Sequence, residues 1–580
     1  MASFTSELDH LADHSCDLCS LHEFTDRVCI MGRGNPKSRI IIYGEAPGAN
    51  EAETGKVFSG RAGQLLDHHL REAGLAELDP YISNVVKCRP PENRTPDRPE
   101  WESCRVYLER EFKAVEPSHV LLLGNTALRA VWKRSGIMKN RGVRLEVKDF
   151  PDVEFMATMH PAAVLRNPGW QSLFAEDIQR FARMVRDEFR VIPVKRRLVQ
   201  TKAGLKMLKQ KLMEAEIISY DVETRYMPWH PEWGIVCLGV STQDDEAYVV
   251  PLFHPQSVFE KSWRQVMKYL KPCFERKDCK YVAQNGKFDN QHLAGCGIFN
   301  HLSFDIMLAS HLLNENRPKN LGFLSQTMLG ADQYKGTVDL KPEKILTEPM
   351  RKIAQYNGSD VAYTLQIYRR VREQLIAEPR LLRIFSKLMM PASEMIQKVE
   401  FRGIYMDKER LWDRMEDVQR RIDEAKSTLA DHGAGDLNPN SPAQLGRWLY
   451  SRESDGGLGL DPLELTRTGR PSTREGVLLH YRDHPAIQAL MRYRMLQLKW
   501  MNTYLVPWSM KLDSRSRYHT IYKLYGTVTG RLSGDFQQVP RDPFIRSIVG
   551  AQPGWVFVSA DYSQVELRIA AHVANERRMI

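Results

Sequence analysis

Short apolar runs that end in glycine or a polar residue, each followed by a helix-like stretch, are the strongest constraint on the fold of this chain. Such alternation predicts α/β units in which helices join the strands of a largely parallel sheet. The first series fills about 190 residues, and a second begins at EAEIISYDVET and continues to about residue 375. The runs of the first series include SRIIIYGEAPG, YISNVVKC and HVLLLGNTAL.

Long helical patterns follow residue 375, and strand-like runs return near the end of the chain. A single hydrophobic core rarely exceeds ~250–300 residues, so the 580 residues predict several domains. We expect an α/β multidomain fold. Its predicted parts are a first domain over 1–189, a basic linker over 190–205, a second α/β domain over 206–375 and a third, mainly helical part over 376–580.

Basic residues are concentrated where the first two domains meet. From Arg190 to Lys211 there are eight basic residues and no acidic one. This pattern predicts a linker that runs into an amphipathic helix, whose basic face is either solvated or in contact with DNA. The whole chain has 82 Lys and Arg against 72 Asp and Glu, a net charge of +10, which suits a polyanionic partner.

Apolar runs long enough to span a bilayer are absent from the sequence, and the opening MASFTSELDH does not resemble a signal peptide. We therefore expect no membrane association and a cytoplasmic location, in the host cell if a phage encodes the chain. Nine cysteines without an export signal argue against a disulfide framework.

Four cysteines in the first domain have a spacing that suggests a metal centre. Cys16 and Cys19 form a C-x-x-C pair, whereas Cys88 and Cys104 follow later with fifteen residues between them. The second pair is too widely spaced for a zinc ribbon. Four thiolates from separate elements fit a [4Fe–4S] cluster better.

The motifs around these cysteines resemble the family-4 uracil-DNA glycosylases over about residues 10–185. They are GEAPGANEAETGKVFSGRAGQLLD, YISNVVKCRPPENRTP and MHPAAVLR, in the order of that family. The resemblance implies a structural [4Fe–4S] cluster on the four cysteines and a pocket for a flipped uracil. In it, Phe58 would stack on the base, Asn84 would bind its edge, His160 would stabilise the developing anion and Glu51 would orient or activate water. Glu45 would help to bind the substrate, where Gly44 to Gly48 let the backbone approach the nucleotide.

Acidic residues recur in the second domain at positions that can converge. Asp221 and Glu223 lie two apart in ISYDVET, so a strand would direct both to one face. Asp289 lies in QNGKFDN, and Tyr356 precedes Asp360 by four residues, the spacing of one helix face. Four converging carboxylates repel one another unless divalent cations lie between them, which predicts a two-metal site for phosphodiester hydrolysis.

This ordered set resembles the 3′–5′ proofreading exonucleases of DNA polymerases. The resemblance implies that Asp221, Glu223, Asp289 and Asp360 bind two Mg²⁺ or Mn²⁺ and that Tyr356 orients the attacking water. Asn285 would lie near the primer end. Asp305 also matches a family position, but we predict it as a helix N-cap.

The third part resembles the thumb of family A DNA polymerases, the DNA polymerase I class. EFRGIYMD, NPNSPAQLGRWLY, YRMLQLKWMNTYL and YGTVTGRLS carry the resemblance, and SADYSQVELR follows them. It implies that Asp561 binds the catalytic Mg²⁺ ions, that Glu566 excludes a ribose 2′-OH and that Arg531 contacts the primer–template. The apolar run before Asp561 predicts a first palm strand.

Two departures from that family limit what the chain can do alone. The segment GDFQQVP is shorter than its family counterpart, and the fingers and the second metal-binding aspartate of the palm have no match. We therefore expect proofreading and uracil-DNA glycosylase or uracil-sensing functions. DNA synthesis from dNTPs would require a separate C-terminal polymerase fragment, as in a split phage replication polymerase. The expected DNA partners are primer–template, single-stranded 3′ ends and uracil-containing DNA. The alternative is a stand-alone repair glycosylase and exonuclease whose polymerase remnant only binds DNA.

Overall fold

Two sheet-containing domains make up the first of two structural units in a computed structural model of the protein. The structure describes residues 8–189, 191–435, 437–466 and 469–579. The first unit comprises residues 1–228 and 232–391, and the second comprises 229–231 and 392–580. Within the first unit we call residues 8–189 the first domain and residues 191–228 and 232–391 the second domain. None of the helices in the described ranges combines the length and hydropathy needed to span a bilayer.

The first domain has a five-stranded sheet of order β2-β1-β3-β5-β4, in which only β4 runs antiparallel to its neighbour. All five residues of the interior strand IIIYG are buried, as expected when helices cover both faces of a parallel sheet. The strands are β1 (Ile40–Gly44), β2 (Tyr81–Asn84), β3 (His119–Leu123), β4 (Arg144–Leu145) and β5 (Glu154–Thr158). The helices are α1 (Ala49–Thr54), α2 (Arg61–Glu72), α3 (Arg98–Ser103), α4 (Arg105–Val115), α5 (Gly124–Trp132), α6 (Ile137–Asn140), α7 (Pro161–Arg166) and α8 (Gln171–Val185).

A buried ion pair lies behind this sheet. Lys87 Nζ lies 2.7 Å from Glu111 Oε1, and both side chains are fully buried. The Glu111 carboxylate also accepts hydrogen bonds from Tyr43 at 2.9 Å and from Tyr81 at 3.0 Å. Lys87 further donates to the carbonyl oxygen of Asn84 at 2.8 Å, so the network fixes the end of β2.

The second domain has a six-stranded mixed sheet of order β11-β10-β7-β8-β9-β6. Its strands are β6 (Lys195–Leu198), β7 (Ile217–Arg225), β8 (Gly234–Gln243), β9 (Glu246–Pro251), β10 (Lys280–Ala283) and β11 (Leu302–Asp305). Its helices are α9 (Lys202–Glu214), α10 (Trp263–Phe274), α11 (Gly286–Gly295), α12 (Ile306–Leu313), α13 (Leu321–Leu324), α14 (Met350–Ile376) and α15 (Pro379–Ile384). Ser325–Leu329 and Phe385–Met389 are π-helical continuations of α13 and α15.

The predicted basic linker over 190–205 is wrong for its described part, 191–205. Residues 195–198 form β6, which pairs in parallel with β9 at the edge of the second sheet, and α9 begins at Lys202. The side chains of KRRL are all exposed. An edge strand needs only backbone pairing on one side and tolerates charged side chains, so its sequence lacks the apolar signal of a central strand.

Charged side chains join the first and second domains. The Glu176 carboxylate of α8 accepts hydrogen bonds from Asn314 at 2.8 Å and from Arg317 at 2.9 Å, both from the second domain. The guanidinium of Arg180 lies 5.6 Å from the ring centroid of Phe323 and is hydrogen-bonded to buried Asp177. These contacts fix the position of one domain against the other.

The second unit is mainly helical and has its own core. Val418, Ile422, Ile487 and Leu490 are fully buried where α17 packs against α20. The helices are α16 (Met390–Arg402), α17 (Lys408–Leu429), α18 (Pro442–Tyr450), α19 (Glu475–Leu478), α20 (Pro485–Arg494), α21 (Val506–Lys511), α22 (Pro543–Arg546) and α23 (Val565–Ala574), with π-helical segments Ala430–Ala434 and Met495–Leu505. Two short antiparallel ladders pair β12 (Ile404–Tyr405) with β13 (Arg517–Tyr518) and β14 (Tyr522–Lys523) with β15 (Ser533–Gly534).

The strand predicted before Asp561 does not form. Residues 555–560 have no regular secondary structure, and Val556 and Val558 are 84% and 81% exposed. A strand requires a neighbour for its backbone groups, and no described residue pairs with this segment. Local β propensity was therefore insufficient to form a strand here.

Candidate active sites and DNA-binding residues

Four predicted residues of the first domain meet at the carboxyl ends of the parallel strands. Asn84 ends β2 and pairs in register with Gly44 of β1, and His160 follows β5. The rings of Phe58 and His160 lie 5.9 Å apart in a stacked arrangement. A Cβ at Gly44 would lie 2.4 Å from Asn84 Oδ1 and 2.5 Å from Phe58 Cζ, so only glycine fits between these side chains.

The polar atoms of this pocket are buried and lack partners among the described residues. They are Nδ2 and Oδ1 of Asn84 and Nε2 of His160. Burying polar groups without hydrogen bonds is costly, and such groups are rare in folded proteins. The pocket therefore presents one amide donor, one amide acceptor and one ring nitrogen to a ligand.

The protonation state of His160 follows from its surroundings. Burial, and then the nearby positive charge of Arg166, lowers the pKa of His160 to about 4, so the ring is neutral at neutral pH. Its Nδ1 accepts a hydrogen bond from the backbone N–H of Ala162 at 3.2 Å. The single ring proton must then lie on Nε2, the atom without a partner, which makes Nε2–H a donor.

Glu51 is hydrogen-bonded to the backbone of the loop that carries Phe58. Its two carboxylate oxygens accept hydrogen bonds from the backbone amides of Gly48 and Phe58. Phe58 has a left-handed backbone with φ of 53°, an uncommon conformation for a residue with a side chain. These contacts give Glu51 a loop-bracing position, and the assignment of a water-orienting role stays a prediction. Glu45 accepts a hydrogen bond from Thr126 at 2.5 Å.

Three of the predicted carboxylates in the second domain converge. Oxygens of Asp221, Glu223 and Asp360 all lie within 4.8 Å of one another. Asp289 lies beside them, where its Oδ1 accepts a hydrogen bond from the backbone N–H of Val222 at 2.9 Å. Burial raises the pKa of Asp221, and the carboxylate of Asp360 raises it further. A cluster of carboxylates whose pKa values are raised by burial fits divalent cations, which would neutralise it.

The helix α14 brings two further predicted residues to these carboxylates. Tyr356 and Asp360 lie on the same side of α14, as their spacing predicts. Lys335 joins them, because its Nζ donates to Asp360 Oδ2 at 2.5 Å and to the Tyr356 hydroxyl at 2.8 Å. Tyr334 donates to the other oxygen of Asp360 at 2.6 Å. No sequence motif indicated Lys335 and Tyr334, because they lie in a loop without a recognisable pattern.

Asn357 is a third residue that the sequence analysis missed, although it directly follows Tyr356. Its Nδ2 donates to Asp221 Oδ2 at 2.7 Å, and the side chain is fully buried. In β8, Gly239 pairs with Asp221 and makes room for this contact. A Cβ at Gly239 would lie 2.2 Å from Asn357 Oδ1, so the missing side chain lets α14 pack closely on the sheet.

The structure confirms the prediction that Asp305 is a helix N-cap. Its Oδ1 accepts a hydrogen bond from the backbone N–H of Met307 at 2.9 Å, at the start of α12. The same carboxylate accepts from the backbone N–H groups of Asn285 at 3.2 Å and Gly286 at 3.0 Å. Asp305 thereby fixes the left-handed turn at Asn285, which begins the helix that carries Asp289.

Three family models match successive parts of the chain. They are the uracil DNA glycosylase superfamily over residues 31–184, the 3′–5′ exonuclease over 196–376 and DNA polymerase family A over 408–580. The type-4 uracil-DNA glycosylase of Pyrobaculum aerophilum is 39% identical over 173 residues, which cover 29% of this chain and 88% of that protein. Through its first domain, the chain belongs to the type-4 uracil-DNA glycosylases. We call the parts that match the 3′–5′ exonuclease and DNA polymerase family A models the exonuclease and polymerase domains.

Other relatives share more of the chain. The DNA polymerase of Bacillus phage SP01 is 26% identical over 95% of this chain and 69% of its own length. The chain spans less than half of the bacterial DNA polymerase I relatives that it matches. The solved POL domain of Pol1 from M. smegmatis, in a complex with DNA primer-template and dNTP, has a TM-score of 0.51 and 19% identity over 66% of this chain and 64% of that one. That likeness supports the fold.

The four predicted cluster cysteines of the glycosylase domain are free thiols, and all but Cys19 are buried. Two of them are close enough to interact directly, because a hydrogen bond with Cys104 lowers the pKa of Cys19 to about 6. The backbone N–H of Cys29 lies 3.5 Å from Cys88 Sγ, the type of contact that tunes a bound cluster. The thiols of Cys16, Cys19, Cys88 and Cys104 thus fit an iron–sulfur cluster in number, chemistry and burial.

The predicted residues of the polymerase domain are not assembled into a metal site. Asp561 lies on the exposed segment before α23, and no group of three metal-ligating side chains in the described ranges includes it. Glu566 accepts a hydrogen bond from Arg531 at 3.1 Å, and both side chains are about three-quarters exposed. The structure therefore places Arg531 beside Glu566, and Asp561 lies outside the groups of three or more candidate ligands found among the described residues.

Proposed function

We propose that this chain acts in DNA replication as a 3′–5′ proofreading exonuclease that also removes uracil from DNA, within a polymerase of family A. The convergence of Asp221, Glu223 and Asp360 within 4.8 Å carries the proposal. The expected site of action is the cytoplasm, that of the host cell if a phage encodes the chain. Similarity to polymerases along most of the chain favours this function over a stand-alone repair factor.

The exonuclease site would bind the 3′ end of a single strand. Asp221, Glu223, Asp289 and Asp360 would hold two Mg²⁺ or Mn²⁺, which supply an activated water and charge stabilisation on the phosphodiester. The Tyr356 hydroxyl would orient the attacking water, and Lys335 would fix that hydroxyl and Asp360 together. Asn285 would lie near the terminal nucleotide.

Substitution of Asp360 tests the exonuclease. Asp360→Asn is expected to abolish Mg²⁺-dependent release of nucleotides from a labelled single strand, because it removes a charged ligand from the cluster. Asp245→Asn, an exposed aspartate of the same domain, is the matched control and should leave the rate unchanged. Equal rates for all three proteins would contradict the exonuclease assignment.

The glycosylase pocket would bind uracil flipped out of the DNA. Asn84 would donate to uracil O4 and accept from N3–H, a pattern that cytosine reverses. Phe58 would stack on the base, and the neutral His160 would donate from Nε2 to O2 as negative charge develops there. Glu45 and the backbone from Gly44 to Gly48 would contact the nucleotide, and Glu51 would hold the loop that carries Phe58.

Release of uracil distinguishes this enzyme from a domain that only senses uracil. His160→Asn should lower the release of uracil from labelled DNA by roughly 10²–10³-fold, the usual cost of losing one donor to a developing anion. His68→Asn, an exposed histidine of α2, serves as control. Uracil-dependent binding without release in the unmodified protein would instead support a sensor that stalls synthesis.

A [4Fe–4S] cluster on Cys16, Cys19, Cys88 and Cys104 would stabilise the glycosylase domain without entering the reaction. The purified protein should contain iron and inorganic sulfide and absorb visible light. Cys88→Ser should lower the iron content and the thermal stability together. Cys237→Ser, at a buried cysteine of the exonuclease domain, should leave the iron content unchanged.

DNA synthesis would require the fingers and the rest of the palm, which a C-terminal fragment would supply in an assay of these 580 residues. Asp561 would then form part of the metal site, Glu566 would select against ribonucleotides and Arg531 would contact the primer–template. The exposed apolar residues 555–558 would pair with strands of that fragment. Primer extension with dNTPs should appear only when such a C-terminal fragment is added, and failure of every such fragment to restore it would contradict this arrangement.

A further inference from the structure

A cleft of about 870 Å³ lies between the glycosylase and exonuclease domains, within the first unit. One wall is formed by residues 131–149 of the glycosylase domain, which run from the end of α5 past β4. The other wall is formed by residues 318–335 of the exonuclease domain. The proposed function uses none of the lining residues except Lys335.

The charge of this interdomain cleft is strongly positive. Six basic side chains line it against two acidic ones, Glu146 and Asp149. Asp149 is already paired with Lys133 at 2.9 Å and with Arg105 at 3.2 Å. Exposed Arg134, Lys139 and Lys148 have no carboxylate partner in the part of the chain that the structure describes. Uncompensated cations in a cleft attract a polyanion.

One residue, Lys335, belongs both to the cleft lining and to the exonuclease site. Lys335 lines the cleft and also donates to Asp360 and Tyr356. A strand whose 3′ end lies at the carboxylates can therefore continue along the cleft wall past Lys335. The glycosylase side also offers a stacking surface, because the Arg134 guanidinium lies 4.7 Å from the ring centroid of Trp132. Single-stranded DNA binds to such combinations of basic and aromatic side chains.

The two walls are held at a fixed separation. Glu176 accepts hydrogen bonds from Asn314 and Arg317, at 2.8 and 2.9 Å, just before residue 318 begins the exonuclease wall. The cleft is thus a built feature of the two packed domains. We propose that it binds the single-stranded DNA upstream of the 3′ end that occupies the exonuclease site, so that the glycosylase domain forms part of the exonuclease substrate path. This inference rests on the proposed exonuclease function.

Charge reversal on the glycosylase wall tests the inference by binding. The triple variant Arg134→Glu, Lys139→Glu, Lys148→Glu leaves every exonuclease residue intact. Binding of a fluorescent single-stranded oligonucleotide is measured by anisotropy in EDTA over a range of salt concentrations. We expect at least about tenfold weaker binding and a slope of log K against log salt that is smaller by about 2, as for three lost phosphate contacts on a single strand.

A second triple variant controls for overall charge. Lys37→Glu, Lys113→Glu and Lys268→Glu change the net charge by the same amount at exposed positions outside the cleft. Equal weakening by both triple variants, or no weakening by the first, would overturn the proposal. Equally tight competition by polyglutamate would also overturn it, because the cleft would then be a general polyanion site.

Comparing hydrolysis of a small phosphodiester with that of a long single strand distinguishes a failure of this inference from a failure of the proposed function. The p-nitrophenyl ester of thymidine 5′-phosphate has one phosphodiester and no DNA upstream of it. The cleft variant should hydrolyse this ester at the unmodified rate but lose about tenfold or more in kcat/KM on a long single strand. An equal loss on both substrates would overturn the substrate path. Absence of ester hydrolysis in the unmodified protein would count against the exonuclease alone, since binding in EDTA still decides the cleft.

Discussion

The side-chain amide of Asn357 donates to the Asp221 carboxylate at 2.7 Å and so ties α14 to the strand that carries the first acidic ligand. A hydrogen bond to a charged group contributes about 1.5–3 kcal/mol. We therefore expect Asn357→Leu to lower the exonuclease rate by roughly ten- to a hundredfold, as measured with Mg²⁺ and a single-stranded substrate.

The control for this change lies on the same helix. Gln355 is exposed, so Gln355→Leu should leave the rate within about twofold, as expected for a surface substitution. Unaltered activity of Asn357→Leu would show that Asp221 is positioned without its amide partner.

Gly239 is the second residue that sets the distance between α14 and the sheet. Gly239→Ala would place a Cβ 2.2 Å from Asn357 Oδ1 and 3.1 Å from Val361 Cγ1. Relief of this overlap requires a shift of α14, which should cost about 1–3 kcal/mol of unfolding free energy and reduce exonuclease activity. Denaturant unfolding and a nuclease assay would measure the two effects.

A second glycine, at a position with free space, is the control for the steric overlap at Gly239. Gly476 lies in α19, where a Cβ would meet no atom within 4 Å, so Gly476→Ala should be neutral or slightly stabilising. If both substitutions were equally mild, close packing at Gly239 would not explain the site geometry.

The pKa of His160 predicts the pH dependence of the glycosylase. Because burial lowers the pKa to about 4, the ring stays neutral and Nδ1 keeps accepting from the Ala162 N–H from pH 8 to about 5, so uracil release should not decline near pH 6.5. A decline with a midpoint near 6.5 would show that the ring titrates as an exposed histidine does.

The same pKa has a consequence for stability. The unfolded chain binds a proton near pH 6.5 that the folded chain takes up only near pH 4, so the contribution of His160 is complete above pH 6.5 and is lost progressively below it. The free energy of unfolding falls by about 3 kcal/mol by pH 4 through this group. Tm values between pH 4 and 8 should show this dependence in the unmodified protein and less of it in His160→Gln.

The buried ion pair behind the glycosylase sheet predicts a non-additive pair of substitutions. Lys87→Met leaves Glu111 buried without its cation and should destabilise the protein by about 3–5 kcal/mol. The double change Lys87→Met, Glu111→Leu should cost much less than the sum of the single changes. Thermal unfolding of Lys87→Met, Glu111→Leu and the double variant would show the coupling, with exposed Lys113→Met as control. Additive losses of stability would contradict it.

Motifs with a fixed order and spacing predicted side chains that the structure brings together. Asp221 and Glu223 are two apart on a strand, and Tyr356 and Asp360 are four apart on a helix, so local geometry alone directs each pair to one side. The first-domain motifs likewise named Phe58, Asn84 and His160, which lie together around Gly44. In each case the motif sits at a strand end or on one helix face, where the backbone dictates the direction of the side chain.

Contacts between residues that lie far apart in the chain could not be predicted from the sequence. Lys335 lies 25 residues before Asp360 in an irregular loop, and its role depends on where that loop packs. The edge strand β6 has no apolar signal because only its backbone is paired, and the apolar segment before Asp561 has such a signal but no partner among the described residues. The α/β domains, their order and the candidate site residues could be predicted from the sequence, because these follow from local periodicity and motif spacing. The partners of Asp360 and Asp221, the bracing position of Glu51 and the basic cleft between two domains became known from the folded structure, because each depends on residues brought together by long-range packing.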